Sequence, residues 1–376
     1  MKVLYLIDSL EGYGAERSLI EITTRFKKIK PVFVHIYEGD QLKTKLEENG
    51  IKVYSLNLTG KYNLQCAEKL ILTIIEKEKP ALIHSTLFRS DIIARRIKRK
   101  RPQILLVGSL VNNSYSPYRK REMNFIQRIK HKIIEKWDRR TSKYVDYFIS
   151  NSEAIVKPNI QALNINIERI KVIHRGRDLS RFIQHDRNFK PRNLRKNYSN
   201  VFLNISRLEN RKGQKDLIVA FSIFLKLHPQ SILLLVGEGP ARNDIKDLII
   251  QMNLKNSVHL LGYRQDIPQL LAFSDFFVFP TYFEGLPGAL IEAAISKTPI
   301  IASNIPENRE CLAPECALLF SPGNISELVG KLEKAISLTE WERKTEGAYN
   351  YAKAKFDIRI ISKEYENFYF QIFGKL

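Results

Sequence analysis

The chain has 376 residues, of which 44% are apolar and 27% charged, which excludes a disordered protein and exceeds one ordinary core, so two domains are expected. Cys66, Cys311 and Cys316 form neither a CxxC pair nor an even disulfide framework, which points to a reducing cytoplasm. The net charge of +21 is lopsided: residues 1–190 carry 38 Lys+Arg against 20 Asp+Glu, and 93–144 carry 16 against 3, so the first half presents either a surface for an anionic partner or a merely solvated basic face.

The opening apolar run ends at Asp8, too soon for the core of a signal peptide, and no run approaches the roughly 18–20 residues that cross a bilayer. Short apolar runs then alternate with amphipathic stretches, the pattern of βαβ units in parallel sheets. Strands are expected at 2–7, 32–37, 51–56, 81–84, 103–109 and 144–150 in the first half. In the second they are expected at 201–206, 231–236, 257–261, 276–280, 300–303 and 317–320. Between the halves, 178–200 is polar and basic, contains Pro191 and reads as a linker. At the end of the chain, Ile361, Tyr365, Phe368, Tyr369 and Ile372 recur at helical spacing, and so apolar a last helix must pack on something, with the first domain as the candidate.

Three passages from strand to helix carry the candidate chemistry. After the first strand, Gly12 and Gly14 let the backbone approach an anion near a helix start at Ala15. The loop is no dinucleotide fingerprint, because Arg17 stands where a third glycine is needed, and by itself it reads equally as a tight turn. After 201–206, Arg207 offers a rigid fork and Lys212 a mobile point charge to phosphate oxygens, with Gly213 turning the chain into a helix. The bland alternative is a basic capping loop, since Arg211 shows that charge is common there.

After 276–280, Pro287 suits a helix start that turns the N–H groups near Gly285, Leu286 and Gly288 toward a ligand. Glu284 is expected at the mouth of the crevice in which open α/β sheets bind their ligands, and Glu292 one turn inside. The flanking Ala289, Leu290, Ala293, Ala294 and Ile295 imply a nearly buried helix, in which Glu292 needs donors such as ribose hydroxyls. Cations suit a diphosphate and carboxylates suit sugar hydroxyls, so the two segments together read as a nucleotide-sugar site.

The ordered set of motifs resembles the family 4 glycosyltransferases of the GT-B fold. The set comprises Gly12-Tyr13-Gly14-Ala15-Glu16, residues 172–182 (VIHRGRDLSRF), Asn204-Ile205-Ser206-Arg207 with Lys212-Gly213, and Val236-Gly237-Glu238-Gly239-Pro240. Residues 258–263 (VHLLGY) with Asp266, the Glu284/Glu292 pair and Pro299-Ile300-Ile301-Ala302-Ser303 complete it. In 172–182, Arg175 and Arg177 replace the family's Asn and Val.

The resemblance implies an α/β architecture of two Rossmann-like doubly wound domains facing across a cleft, with the C-terminal helix crossing back to the first. On that division, 1–180 binds the acceptor, 181–355 binds the nucleotide sugar, and 356–376 packs on the first domain. It implies retaining transfer of a hexosyl-type sugar from a nucleotide diphosphate, UDP by family frequency, to a hydroxyl of a glycan or lipid-linked acceptor in surface polysaccharide synthesis.

Arg207 and Lys212 would bind the diphosphate, Glu284 the sugar and Glu292 the ribose, with Gly285–Leu286 backbone beside sugar and phosphate. Tyr263 and Arg264 would line the base pocket. No cofactor or metal is implied, in keeping with the lack of an Asp-x-Asp, because the two cations replace a divalent ion at the leaving group. Many relatives carry a histidine beside the sugar; here Ser109-Leu110-Val111-Asn112-Asn113 has none. His84 is therefore a catalytic candidate beside a structural reading, and Glu16, Asn112 and Asn113 are acceptor-side candidates.

Between 118 and 144, Ile126, Ile129, Ile133 and Trp137 share a helical face amid Arg119, Lys120, Arg121, Arg128, Lys130, Lys132, Lys136, Arg139 and Arg140, suited to an anionic membrane or else to a core. A peripheral position on the inner face of the plasma membrane is the expectation. Two rivals stand beside this reading. An epimerase of the same fold would act on a nucleotide sugar without an acceptor. A nucleic-acid binder would interleave aromatics with its basic runs, yet 95–101 contains none.

Overall fold

The computed structural model describes residues 1–60, 63–121, 123–183 and 198–374. Most of the expected linker, 184–197, lies outside the described residues. The chain divides into two compact units, one formed by Met1–Arg177 with Phe356–Leu376 and the other by Asp178–Lys355.

In the first unit, β1 (Lys2–Ile7), β2 (Lys30–His35), β3 (Lys52–Ser55), β4 (Leu82–Thr86), β5 (Leu105–Leu110), β6 (Tyr147–Ser150) and β7 (Ile170–Val172) form one parallel sheet. Its order is β3-β2-β1-β4-β5-β6-β7. Both faces of β1 are buried, Val3, Tyr5 and Ile7 in one core cluster and Leu4 and Leu6 in the other, as a parallel sheet covered on both sides requires. Strand β7 was not expected: three residues with Lys171 in the middle carry too little apolar signal to register as a strand.

The second unit holds β8 (Asn200–Ile205), β9 (Ser231–Val236), β10 (Val258–Gly262), β11 (Phe276–Phe279), β12 (Ile300–Ser303) and β13 (Leu318–Phe320). They are parallel in the order β10-β9-β8-β11-β12-β13. Phe202 anchors this core, with ring centroids 5.5 Å from Phe221, 5.3 Å from Phe224 and 4.9 Å from Phe276.

The strand order of each sheet reverses direction once, between β1 and β4 and between β8 and β11. Such switch points, at the carboxyl ends of the strands, are where open α/β sheets bind ligands. The Gly12–Gly14 loop follows β1, the Arg207–Lys212 loop follows β8, and the Glu284–Glu292 segment follows β11. All three motifs therefore sit at switch points.

The last helix, Ile358–Phe373, does return to the first unit. Ile358, Ile361, Tyr365, Phe368, Tyr369 and Ile372 enter the same core as Val3, Tyr5 and Ile7, each burial contributing about 1.5–3 kcal/mol. Glu366 accepts from the backbone N–H groups of Lys27 (2.9 Å), Lys28 (2.5 Å) and Ile29 (3.1 Å), so its buried carboxylate is satisfied. Entry to the helix is set at Gly176, where a Cβ would lie 2.8 Å from Ile358 Cα. Beside it, Arg177 N–H donates to the Phe356 carbonyl (2.7 Å). The Arg177 that replaces the family's Val is itself buried, 3.7 Å from Glu21.

Candidate functional site

The loops after β8 and β11 are bound into one piece. Asn204 Nδ2 donates to the Val278 carbonyl (2.8 Å), joining the two strands in the core. The Arg211 carbonyl accepts from Tyr282 N–H (2.9 Å) and lies 3.1 Å from Thr281 Oγ1. Gln214 Nε2 donates to Ser206 Oγ (2.8 Å) and to the Arg207 carbonyl (3.0 Å), fixing the start of the cationic loop. Gly213 has φ +69° and a Cβ there would lie 2.1 Å from the Pro280 carbonyl oxygen, so only glycine permits the loops to touch.

This frame places Lys212 Nζ 2.5 Å from Glu284 Oε1. Thr281 Oγ1 donates to the same oxygen (2.8 Å), and Arg211 Nη1 lies 3.5 Å from Oε2. Glu284 is buried rather than standing at the mouth of a crevice, which corrects the expected placement. Burial alone would raise its carboxyl, but the charges of Lys212 and Arg211 outweigh it and hold Glu284 below the ordinary carboxylate range. Burial pulls the Lys212 ammonium below its ordinary value despite the carboxylate beside it. Arg207 is about half exposed, with Nη1 3.2 Å from Glu209 Oε1.

The helix after this loop spans Gly288–Ile295 and buries Leu290, Ile291, Ala293, Ala294 and Ile295. Glu292 is only half-buried, so the expectation of a buried carboxylate in need of donors is corrected: its side chain leaves the helix on the less covered face. Gly285 and Leu286 are buried in the turn before the helix. Tyr263 is exposed beyond β10, the edge strand two places from β8, and the Arg264 fork is closed on Asp266 at 2.8 and 2.5 Å. Sequence reasoning passed over Arg211, Thr281 and Gln214. Nothing in the spacing of Arg211 and Thr281 distinguishes them, because the contacts that bring them together join loops about seventy residues apart, and Gln214 acts only on the loop just before it.

In the first unit, Gly12 has φ +94°, and Gly14 opens the helix Gly14–Thr23, with Arg175 Nη1 3.5 Å from where its Cβ would be. Glu16 is turned back into its own loop: Oε2 accepts from the N–H groups of Gly12 (2.6 Å) and Tyr13 (2.9 Å), and Oε1 from Ser9 Oγ (2.9 Å). It is buried and shapes the glycine loop, which corrects its candidacy as an acceptor contact.

His84 is likewise corrected. It lies within β4 with no exposed surface, Nδ1 2.6 Å from Tyr369 OH and Nε2 2.7 Å from Ser109 Oγ, and burial pushes its pKa down to about 3. It is a neutral core group that ties the last helix to the sheet. Asn112 and Asn113 are half-buried beyond β5; the Asn112 carbonyl accepts from Asn159 Nδ2 (3.3 Å).

The basic segment forms the helix Phe125–Thr141, capped by Asn124. Asp138 ties it down through Arg95 Nη1 and Tyr115 OH, both at 2.5 Å. Phe125, Ile126, Ile129 and Ile133 are exposed, at 77, 62, 46 and 62%. Trp137 does not share that outward stripe: it is half-buried with its ring 5.8 Å from Phe88. Among the described residues no helix is long and apolar enough to cross a membrane.

Known proteins supply the family. The profile of Glycosyltransferase Family 4 matches residues 13–181, and that of Glycosyl transferases group 1 matches 186–354. An uncharacterised glycosyltransferase of Methanocaldococcus jannaschii is 32% identical over 46% of this chain and 43% of its own length. The Escherichia coli UDP-Gal:alpha-D-GlcNAc-diphosphoundecaprenol alpha-1,3-galactosyltransferase is 29% identical over 64% of this chain and 61% of its own. The chain thus spans about half the length of these curated relatives.

Anabaena HepE, solved in complex with UDP-glucose, shares the fold with a TM-score of 0.82 and 24% identity over 99% of this chain and 100% of that one. Two profiles in the order of the two units, on two doubly wound parallel sheets with the cations and carboxylate at the second switch point, give one answer. The chain belongs to the family 4 glycosyltransferases of the GT-B fold.

Proposed function

We propose that this protein is a retaining, hexosyl-type glycosyltransferase. It moves a sugar from a nucleotide diphosphate, UDP by preference, to a hydroxyl of a glycan or lipid-linked acceptor during surface polysaccharide synthesis. The observation that carries the reading is the meeting of Lys212 and Glu284 at the β8/β11 switch point, beside Arg207 and the start of the helix Gly288–Ile295. Arg207, Lys212 and the N–H groups near Gly285–Gly288 stabilise the departing diphosphate, so no metal and no cofactor is needed. Glu284 holds the sugar and Glu292 the ribose, while Tyr263 and Arg264 border the base.

No side chain here acts as a covalent nucleophile; the leaving phosphate helps deprotonate the acceptor on the same face. The acceptor hydroxyl is seated on the first unit, near the glycine loop and Asn112–Asn113. The acceptor of the Escherichia coli relative, a diphosphoundecaprenol-linked sugar, supports a lipid-linked substrate. The exposed apolar face of Phe125–Thr141, flanked by basic residues, supports peripheral contact with an anionic inner membrane from the cytoplasm, and no nucleic-acid role.

The test is a thermal-shift screen of nucleotides and nucleotide sugars, with a ligand at 100 times its dissociation constant expected to stabilise by about 2.7 kcal/mol. Arg207→Ala should then cut transfer by about 10²–10³. No stabilisation by any nucleoside diphosphate, or near-normal transfer by Arg207→Ala, would sink the assignment.

A further inference from the structure

Glu284 belongs to a chain of charges longer than the pair with Lys212. Glu209 bridges two guanidiniums, with Oε1 3.2 Å from Arg207 Nη1 and Oε2 2.8 Å from Arg211 Nε. Arg211 donates through Nη1 to the Phe283 carbonyl (3.2 Å), reaches Glu284 Oε2 (3.5 Å), and lies over the Phe283 ring at 5.4 Å. Lys212 holds the other Glu284 oxygen. Exposure falls along the series, with side chains of Arg207, Arg211, Lys212 and Glu284 at 47, 23, 11 and 8%. Arg207 is about half exposed, whereas Nε and Nη1 of Arg211 are engaged by the protein.

We propose that Arg211 and Glu209 are positioning residues of the donor site: Arg211 fixes the Glu284 carboxylate for a sugar, and Glu209 holds the Arg207 guanidinium until a diphosphate replaces it. This rests on the nucleotide-sugar reading above. Lysine is a mobile point charge and could follow Glu284 through a rotation, but with Lys212 and Thr281 at one oxygen and Nη1 of the rigid Arg211 guanidinium 3.5 Å from the other, rotation of the carboxylate is opposed.

Glu209 does the opposite task. Three cations against two carboxylates leave one net positive charge in the series. Neutralising Glu209 leaves two, better matched to a diphosphate. The Arg207–Glu209 pair is partly exposed and therefore weak enough to be exchanged for a ligand.

Calorimetric titration of UDP and of UDP-glucose into the full chain and its variants tests both roles. Arg211→Met lowers the net charge of the series for both ligands, but it should weaken UDP-glucose about tenfold more than UDP, the worth of one charge-assisted hydrogen bond. Arg211→Lys, which keeps the charge and loses the fork, should recover only part of that loss. Glu209→Gln should tighten both ligands about two- to fivefold, the release of one partly exposed ion pair.

A general structural role for Arg211 would weaken UDP and UDP-glucose alike, and that result overturns the inference, as does weaker binding of both by Glu209→Gln. An unaltered protein that binds neither these ligands nor any other nucleoside diphosphate overturns the donor reading itself, and with it this inference; one that binds another nucleoside diphosphate instead takes the same titrations with that nucleotide and its sugar. An unaltered protein that binds both, with variants that behave alike, overturns the inference alone.

Discussion

The Lys212–Glu284 contact can be measured as a coupling by a double-mutant cycle of Lys212→Met and Glu284→Gln. Both side chains are nearly buried, at 11 and 8% exposure, and 2.5 Å apart, so removing either one strands a charge out of water. Such single losses cost about 3–5 kcal/mol each. Simple addition would then give about 6–10 kcal/mol for the double variant. The double variant instead removes both charges, and the singles should overstate its cost by a coupling of about 2–3 kcal/mol. Arg211 at 3.5 Å from Glu284 tempers the Lys212→Met single, which sets the lower end of that range.

The chain has two tryptophans, Trp137 in the first unit and Trp341 in the second. Urea unfolding followed by Trp341 fluorescence, in a Trp137→Phe background, therefore reports on the unit that holds the pair. The folded-state pKa of Glu284 is depressed, so its contribution is complete above the ordinary carboxyl value of 4.5 and is lost as pH falls through the folded value. The gap between the unaltered chain and Glu284→Gln should accordingly close in acid. Costs that add to within about 0.5 kcal/mol at neutral pH would refute the account of a coupled buried pair.

Two further predictions concern the first unit. Asp91 is buried beside Ser85 Oγ (2.6 Å), and burial pushes its carboxyl up to about 7 despite Arg95 nearby. A raised folded-state pKa means that stability falls as pH climbs from 3.8 to about 7, by up to about 4 kcal/mol. Asp91→Asn should erase that slope and exceed the unaltered chain in stability at pH 8, as read by Trp137 fluorescence in urea; an unchanged slope disproves it. Reversing Lys130, Lys132, Lys136 and Arg140 to Glu should abolish sedimentation with anionic vesicles, since each basic side chain near such a surface is worth about 1 kcal/mol. Replacing Phe125 and Ile133 with Ser should weaken binding even at low salt, and an unaltered chain that ignores anionic vesicles at low salt removes the membrane role.

Much of the fold was legible because a buried parallel sheet writes itself in local runs. Ser231–Val236 and Ile300–Ser303 are unbroken apolar strands bounded by polar turns, and their limits are readable without any partner. The last helix was legible too, since a periodic stripe from Ile361 to Ile372 has to be covered. The glycines and the Arg207, Lys212 and Glu284 positions could be placed at strand ends from spacing alone.

Tertiary structure alone decided which of these groups are neighbours and which are buried. Glu284 and Glu292 look alike in sequence, yet Glu284 is enclosed by two cations from a loop about seventy residues earlier while Glu292 leaves its helix half-covered. His84 resembled a catalytic group until a tyrosine 285 residues away was found at its ring nitrogen. Trp137 sat on the apolar stripe of its helix, yet its ring packs on Phe88 beside the Arg95–Asp138 ion pair that ties down that end of the helix. Periodicity records which residues prefer to leave water; burial, pairing and pKa depend on distances between segments remote in the chain, and those no local pattern contains.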